Sequence, residues 1–264
     1  MKIDLAGKTA LVSGSTAGIG FAIAAGLAGT GARTIVNGRS DKTVEAAVAK
    51  LKQAHPGAEI EGIAADLSGA DGCDRLVRAL PKLDILVNNA GIFEPKDFFE
   101  IPDADWARFF ETNVMSGVRL SRAYMPAMLE RNWGRIVFIS SESALQTPKE
   151  MIHYGFTKTA QLAISRGLAE LTAGTAVTVN SVLPGPTRSD GVEAFLQAMA
   201  KRAGTSADEM AANFVKEHRS TSLLQRFITV EEVANMVVYA CSKEASATNG
   251  AALRVEGGVV QTLA

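Results

Sequence analysis

Cysteine is scarce. Only Cys73 and Cys241 occur in 264 residues, far apart and in no CxxC pair. That excludes a disulfide framework and a thiolate zinc cage, and it fits a reducing cytosol, so a cytoplasmic location is expected. Histidine is as sparse: His55, His153 and His218 have no metal-ligand spacing, so no metal is expected. An excess of either charge is also missing. Lys plus Arg number 27 and Asp plus Glu 28, for a formal net charge of -1. A chain so balanced has no global field to draw nucleic acid or an anionic membrane, and neither is expected as a partner.

Charge is absent locally too. From Thr9 to Ala32 there is no charged residue, a length that could span a bilayer. But Gly14, Gly18, Gly20, Gly26, Gly29 and Gly31 deny that run the apolar bulk of a spanning helix. Asp4 and Lys8 leave no clean basic segment before it for a signal peptide. The run reads as a buried strand, a glycine turn and a buried helix.

What remains is an ordinary globular composition, 47% hydrophobic and 21% charged. No repeat, linker or low-complexity tract divides the chain, so one domain over 1–264 is expected. Short β-branched runs alternate with helical stretches. Strands are expected at 9–13, 33–37, 59–64, 83–88, 134–140, 176–183 and 251–255. Helices are expected at 18–29, 41–55, 69–80, 103–131, 151–171 and 229–241. Strands apolar on both faces and separated by helices make an α/β, Rossmann-like, doubly wound fold. It has a mostly parallel seven-stranded sheet with helices on both faces. Thr229 and Glu232 form a capping box for the last helix. The connection 188–227 breaks the alternation and is long. With apolar Phe195, Leu196, Met199, Met210 and Phe214 it reads as a substrate lid holding short helices.

Four segments carry chemistry. Gly14-Ser15-Thr16-Ala17-Gly18-Ile19-Gly20 lies between the first strand and first helix. Glycines there permit a tight turn and let a pyrophosphate approach the helix N-terminus. At the end of strand two, where an NAD site carries an acid, stands Asn37-Gly38-Arg39. Arg39 could hold the 2′-phosphate of NADP, or could be a solvated arginine before a helix. Asn88-Asn89-Ala90-Gly91 ends strand four, where small residues let the backbone pass close to a cofactor or simply turn. Tyr154 and Lys158 are four apart and share a helix face. A nearby lysine cation favours the phenolate and brings proton exchange nearer neutral pH. The same spacing recurs at Tyr239 and Lys243. Only Tyr154 follows a Ser-rich strand end, Ser140-Ser141-Glu142-Ser143, where open α/β sheets bind ligands.

Taken in order, Gly14/Gly18/Gly20, Asp66, Asn88–Gly91, Asn113, Ser141, Tyr154, Lys158 and Pro184-Gly185 resemble the short-chain dehydrogenase/reductase family, in its single-domain branch. The resemblance spans nearly the whole chain. It implies Tyr154 as general acid/base and Lys158 as the group that lowers its pKa and binds the nicotinamide ribose. Ser141, thirteen residues before Tyr154, would hold the substrate oxygen, and Asn113 would complete a proton relay. Asp66, with Leu67 beside it, matches the residue near the adenine ring. Pro184-Gly185-Pro186-Thr187 matches the segment against the nicotinamide. The family's NADP enzymes often carry a basic residue before the second motif glycine, and here that position is Ala17.

The resemblance implies an NADP(H)-dependent oxidoreductase, with NAD(H) as the alternative, that interconverts a carbonyl and a secondary alcohol. Its partner would be a small molecule, and its assembly a homotetramer. Two rivals stand beside it. A sugar-nucleotide epimerase would need a longer chain, and a non-catalytic dinucleotide sensor would not need Ser, Tyr and Lys together. His153 could contact substrate or pack at the pocket wall. Glu142 could face a polar substrate or solvent.

Overall fold

The computed structural model describes residues 2–263. Seven parallel strands form one sheet: β1 (Thr9–Val12), β2 (Arg33–Gly38), β3 (Ile60–Ala64), β4 (Ile85–Asn88), β5 (Gly134–Ile139), β6 (Val177–Pro184) and β7 (Ala252–Val255). Their order is β3-β2-β1-β4-β5-β6-β7, so the direction of winding reverses between β1 and β4. Every residue of β4, β5 and β6 is buried, as a sheet covered on both faces requires.

Alternation sorts the strand side chains into two cores. Val12, Val36, Val87, Val137 and Val182 point to one face. There they meet α1 (Gly18–Gly29) and α9 (Val230–Cys241). Leu11, Ile35, Leu86, Ile136 and Val179 point to the other. They pack with residues of α3 (Ala70–Ala79), α5 (Ser116–Glu130) and α6 (Ile152–Glu170). The charge-free run is thus β1, the glycine turn and α1. At Gly26 a Cβ would stand 2.8 Å from Val238 Cγ2, which lets α1 lie close on α9. Among the described residues no helix is long and apolar enough to cross a membrane.

On the outside, α2 (Asp41–Ala54) buries only Val44, Ala47 and Leu51, one stripe of an otherwise polar helix. The capping box at Thr229 is formed: its hydroxyl accepts from the Glu232 amide, and the Glu232 carboxylate from the Thr229 amide.

The helix expected over 103–131 is interrupted. It runs as α4 (Asp103–Phe110), a π turn at Glu111–Met115, then α5. No Pro or Gly lies within the turn, so the widening has a tertiary cause, and it falls on Asn113. Such one-turn π bulges gather at functional sites. The long connection folds as α7 (Asp190–Ala203) and α8 (Ala207–His218), with Ser189 and Ser206 as N-caps. Arg188 binds Glu193 at 2.6 Å and Asp208 at 2.7 Å, tying the two helices together.

Candidate active site

All strands point the same way, so the loops after β1, β2, β4, β5 and β6 open at one end of the sheet. The loop after β1 makes the cradle. Gly14 and Gly18 sit at φ 60° and 56°, which a side chain would strain. A Cβ on Gly20 would lie 2.5 Å from both Asn89 Nδ2 and the Gly14 carbonyl oxygen. Ala17 gives α1 no side-chain cap, and its first turn holds no acid. The first amides of α1 are therefore left for an anion, as a bound pyrophosphate would need.

Internal bonds stiffen this cradle. Ser15 is fully buried; its hydroxyl donates to the Val12 carbonyl at 2.7 Å and accepts from the Asn37 amide at 3.0 Å. Its amide also donates to the Asn37 carbonyl at 2.8 Å, so Ser15 has only its carbonyl left for a cofactor. Asn37 Oδ1 accepts from the Gly14 amide, and its Nδ2 donates to the carbonyls of Ile63 and Ala65. Asn89 Nδ2 donates to the carbonyls of Ser13 and Gly14, both at 2.9 Å. Ser13 Oγ accepts from the amides of Asn89 and Ala90. Leu67 is buried in the core, and Thr187 spends its hydroxyl proton on the Gly185 carbonyl. Gly185 packs on the backbone of Glu256, where a Cβ would come within 2.8 Å.

At the end of β2, Arg39 is exposed and has no hydrogen-bond or ion-pair partner among the described residues. Its charge, with the Ser68 amide that Asp66 accepts at 3.1 Å, helps hold the Asp66 carboxyl below the usual range, the amide being the larger cause. Gly38 is closed to side chains: a Cβ would stand 2.4 Å from Thr16 Cγ2 and 3.2 Å from Val44 Cγ2.

The loop after β5 and the start of α6 supply the reactive groups. Ser140 donates to the Lys158 carbonyl at 2.8 Å, fastening α6 to the strand end. Ser141 Oγ accepts from the Ser143 amide at 3.1 Å and donates to Glu142 Oε2 at 2.5 Å. It also favours the ionised form of the Tyr154 phenol. Lys158 is buried. Its Nζ donates to the Ile139 carbonyl at 2.8 Å and to Gln161 Oε1 at 3.4 Å, and lies 5.5 Å from the centre of the Tyr154 ring. Burial pushes this lysine down to about 8. Asn113 holds Ile92 by both its amide and its carbonyl and donates to Thr157 Oγ1 at 3.0 Å. Gly91 brings the β4 loop against both groups: a Cβ there would lie 3.3 Å from Asn113 Oδ1 and 3.7 Å from Lys158 Nζ.

The protein's own groups do not lower the tyrosine as expected. Burial is the largest cause holding the Tyr154 phenol above its ordinary value, and the Glu142 carboxylate adds to it. Ser141 and Arg219 pull the other way.

Glu142 does not face solvent. It is 4% exposed and takes Arg219 Nε on Oε1 at 2.8 Å. His153 is buried against Phe109 and Trp106, with ring centres 4.2 and 6.0 Å away, and neither nitrogen is hydrogen-bonded. Burial holds it below its ordinary value, so it packs as a neutral ring. The decoy pair is apart from all this: Tyr239 lies on α9 and Lys243 is exposed beyond that helix.

Ser13, Asn37, Gln161 and Arg219 join the expected residues. Gln161 had a signal, since it lies three residues after Lys158 on the same helix face. Arg219 had none: 77 residues separate it from Glu142.

Residues 8–200 match the family described as short chain dehydrogenase. The chain is 51% identical over 263 residues to the uncharacterized oxidoreductase YvaG of Bacillus subtilis (strain 168), covering 100% of both chains. It is 33% identical over 260 residues to D-beta-hydroxybutyrate dehydrogenase of Cupriavidus necator, covering 97% of this chain and 99% of that one. Among solved structures, L-sorbose reductase from Gluconobacter frateurii, complexed with NADPH and L-sorbose, superposes with a TM-score of 0.94 at 31% identity, covering 100% of both chains.

Proposed function

The chain belongs to the short chain dehydrogenase family and is an oxidoreductase acting on CH–OH groups; we propose that it interconverts a ketone or aldehyde and its alcohol with NADP(H). The observation that carries this reading is the meeting of Ser141, Tyr154, Lys158 and Asn113 beside the uncapped α1 cradle. The cradle fits a dinucleotide: glycine at 14, 18 and 20 leaves room, and the α1 amides face outward for a pyrophosphate. Arg39 and Asp66 would flank its adenosine end, and Asn89, Ala90, Gly91, Pro184, Gly185 and Thr187 would line the path to its nicotinamide end. Thr16, Gly18, Ile19 and Gly20 would cover its phosphates, with Leu67 buried in the core beside Asp66. When bound, the nicotinamide supplies or receives the hydride.

The protein's residues do the rest. Ser141 donates its hydroxyl proton to the carbonyl oxygen and fixes the carbonyl's orientation, so that reaction begins from a positioned encounter. In reduction Tyr154 gives its proton to that oxygen as the carbon gains the hydride. The developing alkoxide lies between two donors, Ser141 and Tyr154. Lys158 places positive charge beside the phenolate formed in that step, and Asn113 and Gln161 hold the lysine's surroundings in place. In oxidation the same steps run backward. The neighbour that binds NADPH supports the cofactor, and the free guanidinium of Arg39 supports the 2′-phosphate over a bare ribose.

A homotetramer is part of the same reading. Phe110 and Phe156 stack at 6.3 Å on a partly exposed face of α4 and α6, where a second copy would bury them. A tetrameric mass by light scattering at micromolar concentration tests it. The two buried thiols, Cys73 and Cys241, suit a reducing cytoplasm.

The deciding assay is turnover of a panel of ketones and aldehydes with NADPH and with NADH. Reduction by NADPH in preference to NADH is the expected result. No turnover with any substrate would leave only a dinucleotide-binding protein.

A further inference from the structure

Beside the reacting group lies a carboxylate that the hydride-transfer chemistry does not use. Glu142 is buried, and both its oxygens are taken. Oε1 receives Arg219 Nε at 2.8 Å, and Oε2 receives the Ser141 hydroxyl at 2.5 Å. Arg219, itself only 8% exposed, arrives from the end of α8 and also lies 3.6 Å from Glu150. The guanidinium is therefore committed to acidic groups of the protein.

The Ser141 hydroxyl is the conflict. It has one proton, and that proton is on Glu142. Its lone pair already accepts the Ser143 amide. For Ser141 to donate to a substrate oxygen, the bond to Oε2 must break. Oε2 would then be a buried carboxylate oxygen without a donor, which carries its full desolvation penalty. A substrate that brings its own hydroxyl removes the cost. Ser141 turns to the carbonyl oxygen while the substrate hydroxyl replaces it on Oε2. Because Oγ and Oε2 are 2.5 Å apart, the two substrate oxygens must lie close together too, as oxygens on adjacent carbons do. A substrate carboxylate in that place would instead meet Glu142 as a like charge, with the guanidinium already engaged.

We infer that Glu142 is a specificity-determining residue that selects α-hydroxy carbonyls, and in reverse vicinal diols, by accepting the hydroxyl next to the reacting carbon. This rests on the reading that the chain is a carbonyl reductase. It adds a substrate class to that reading: neutral molecules with oxygen on adjacent carbons.

The test uses two pairs of substrates that differ by that hydroxyl alone and one pair that sets the hydroxyl against a carboxylate. With NADPH, 3-hydroxy-2-butanone is set against 2-butanone, and hydroxyacetone against pyruvate. With NADP⁺, 2,3-butanediol is set against 2-butanol. Wild type should favour the hydroxylated partner of each pair by ten- to a hundred-fold in kcat/KM, the range that one unpaired buried acceptor implies. Glu142→Gln should compress that ratio towards one, chiefly by slowing the hydroxylated substrate. A residue that only held the lid would lower both members of a pair alike. If Glu142→Gln does not fold, as judged by circular dichroism, Glu142→Asp, whose carboxylate is drawn back by one methylene, should compress the ratio too. Equal rates within the wild-type pairs, a preference for pyruvate over hydroxyacetone, or a ratio unchanged in the variant would overturn the inference while carbonyl reduction stood. No turnover of any of these substrates, together with none in the wider panel, would remove both.

Discussion

The side chain of Gln161 donates to the main-chain carbonyl of Asn113 across 2.5 Å. Its other end, Oε1, faces Lys158 Nζ at 3.4 Å. One amide thus joins the π turn to the buried lysine.

The lysine at the end of that bridge carries a pH dependence. Lys158 loses its proton near 8 because burial disfavours the ammonium. The unfolded chain would hold that proton to about 10.4. Between these values the unfolded state binds more protons, so this residue makes stability rise with pH over that window. Activity that needs the ammonium falls across the same inflection. Gln161→Leu removes an acceptor from the charged form. The inflection in kcat/KM should therefore move below 8, with the fold intact by circular dichroism. An inflection left in place would mean that Gln161 serves the helix and not the lysine.

Tyr154→Phe keeps the ring and its edge contact with Phe93, 6.5 Å between centres, and removes only the hydroxyl. Turnover should fall by at least ~10²–10⁴-fold, the usual contribution of a positioned acid. NADPH binding, followed by its fluorescence, should be nearly unchanged. Tyr239→Phe on α9 is the control and should leave the chemical step alone. Wild-type turnover in Tyr154→Phe would remove the proposed acid.

Arg219→Ala should destabilise the protein by about 3–5 kcal/mol, because it strands the buried Glu142 carboxylate. Thermal unfolding would show this as a drop of several degrees. Adding Glu142→Leu should recover part of the loss, since the stranded charge goes with it. A single variant as stable as wild type would mean that water or an added proton already compensates the charge.

The segment 188–227 should exchange its amide hydrogens faster than the sheet and slow when NADPH binds. Its start meets the cradle: a Cβ on Gly18 would lie 3.3 Å from Ser189 Cβ. The exposed pairs Arg188–Glu193 and Arg188–Asp208 contribute little in water. Exchange unchanged by cofactor would argue against a lid.

Local pattern carried the fold. Strands such as Ile85–Asn88 are short apolar runs between glycine- and proline-marked turns, and every strand was legible to within two residues. The glycine turn was legible for the same reason, because φ near +60° restricts residue choice at single positions. What stayed hidden depends on contacts far apart in sequence. The π turn has no local breaker. Arg219 reaches Glu142 only after α7 and α8 fold back. The raised Tyr154 value comes first from burial and then from the Glu142 carboxylate, so the four-residue spacing of Tyr and Lys could not convey it. Glu142 could be read as polar and near the site, but not as buried.

Cofactor choice turns on Arg39 and on the space beside it. Arg39 offers a planar fork of donors, and a charge-assisted hydrogen bond to a 2′-phosphate is worth about 1.5–3 kcal/mol. That corresponds to a preference for NADPH on the order of ten- to a hundred-fold. Ala17 adds no second cation, so the lower end is expected. Arg39→Ala should weaken NADPH by about that factor and leave NADH nearly alone. The converse change, an acid at position 38 to accept the ribose hydroxyls, meets an obstacle that strand position alone does not reveal. A Cβ there would stand 2.4 Å from Thr16 Cγ2, so Gly38→Asp alone must push the cradle aside and should weaken both cofactors. Paired with Thr16→Ala, which removes that methyl, Gly38→Asp should move the preference toward NADH. Dissociation constants for both cofactors across these variants would decide it. Equal binding of NADH and NADPH by the unchanged protein would make Arg39 an ordinary surface residue and remove the NADP assignment.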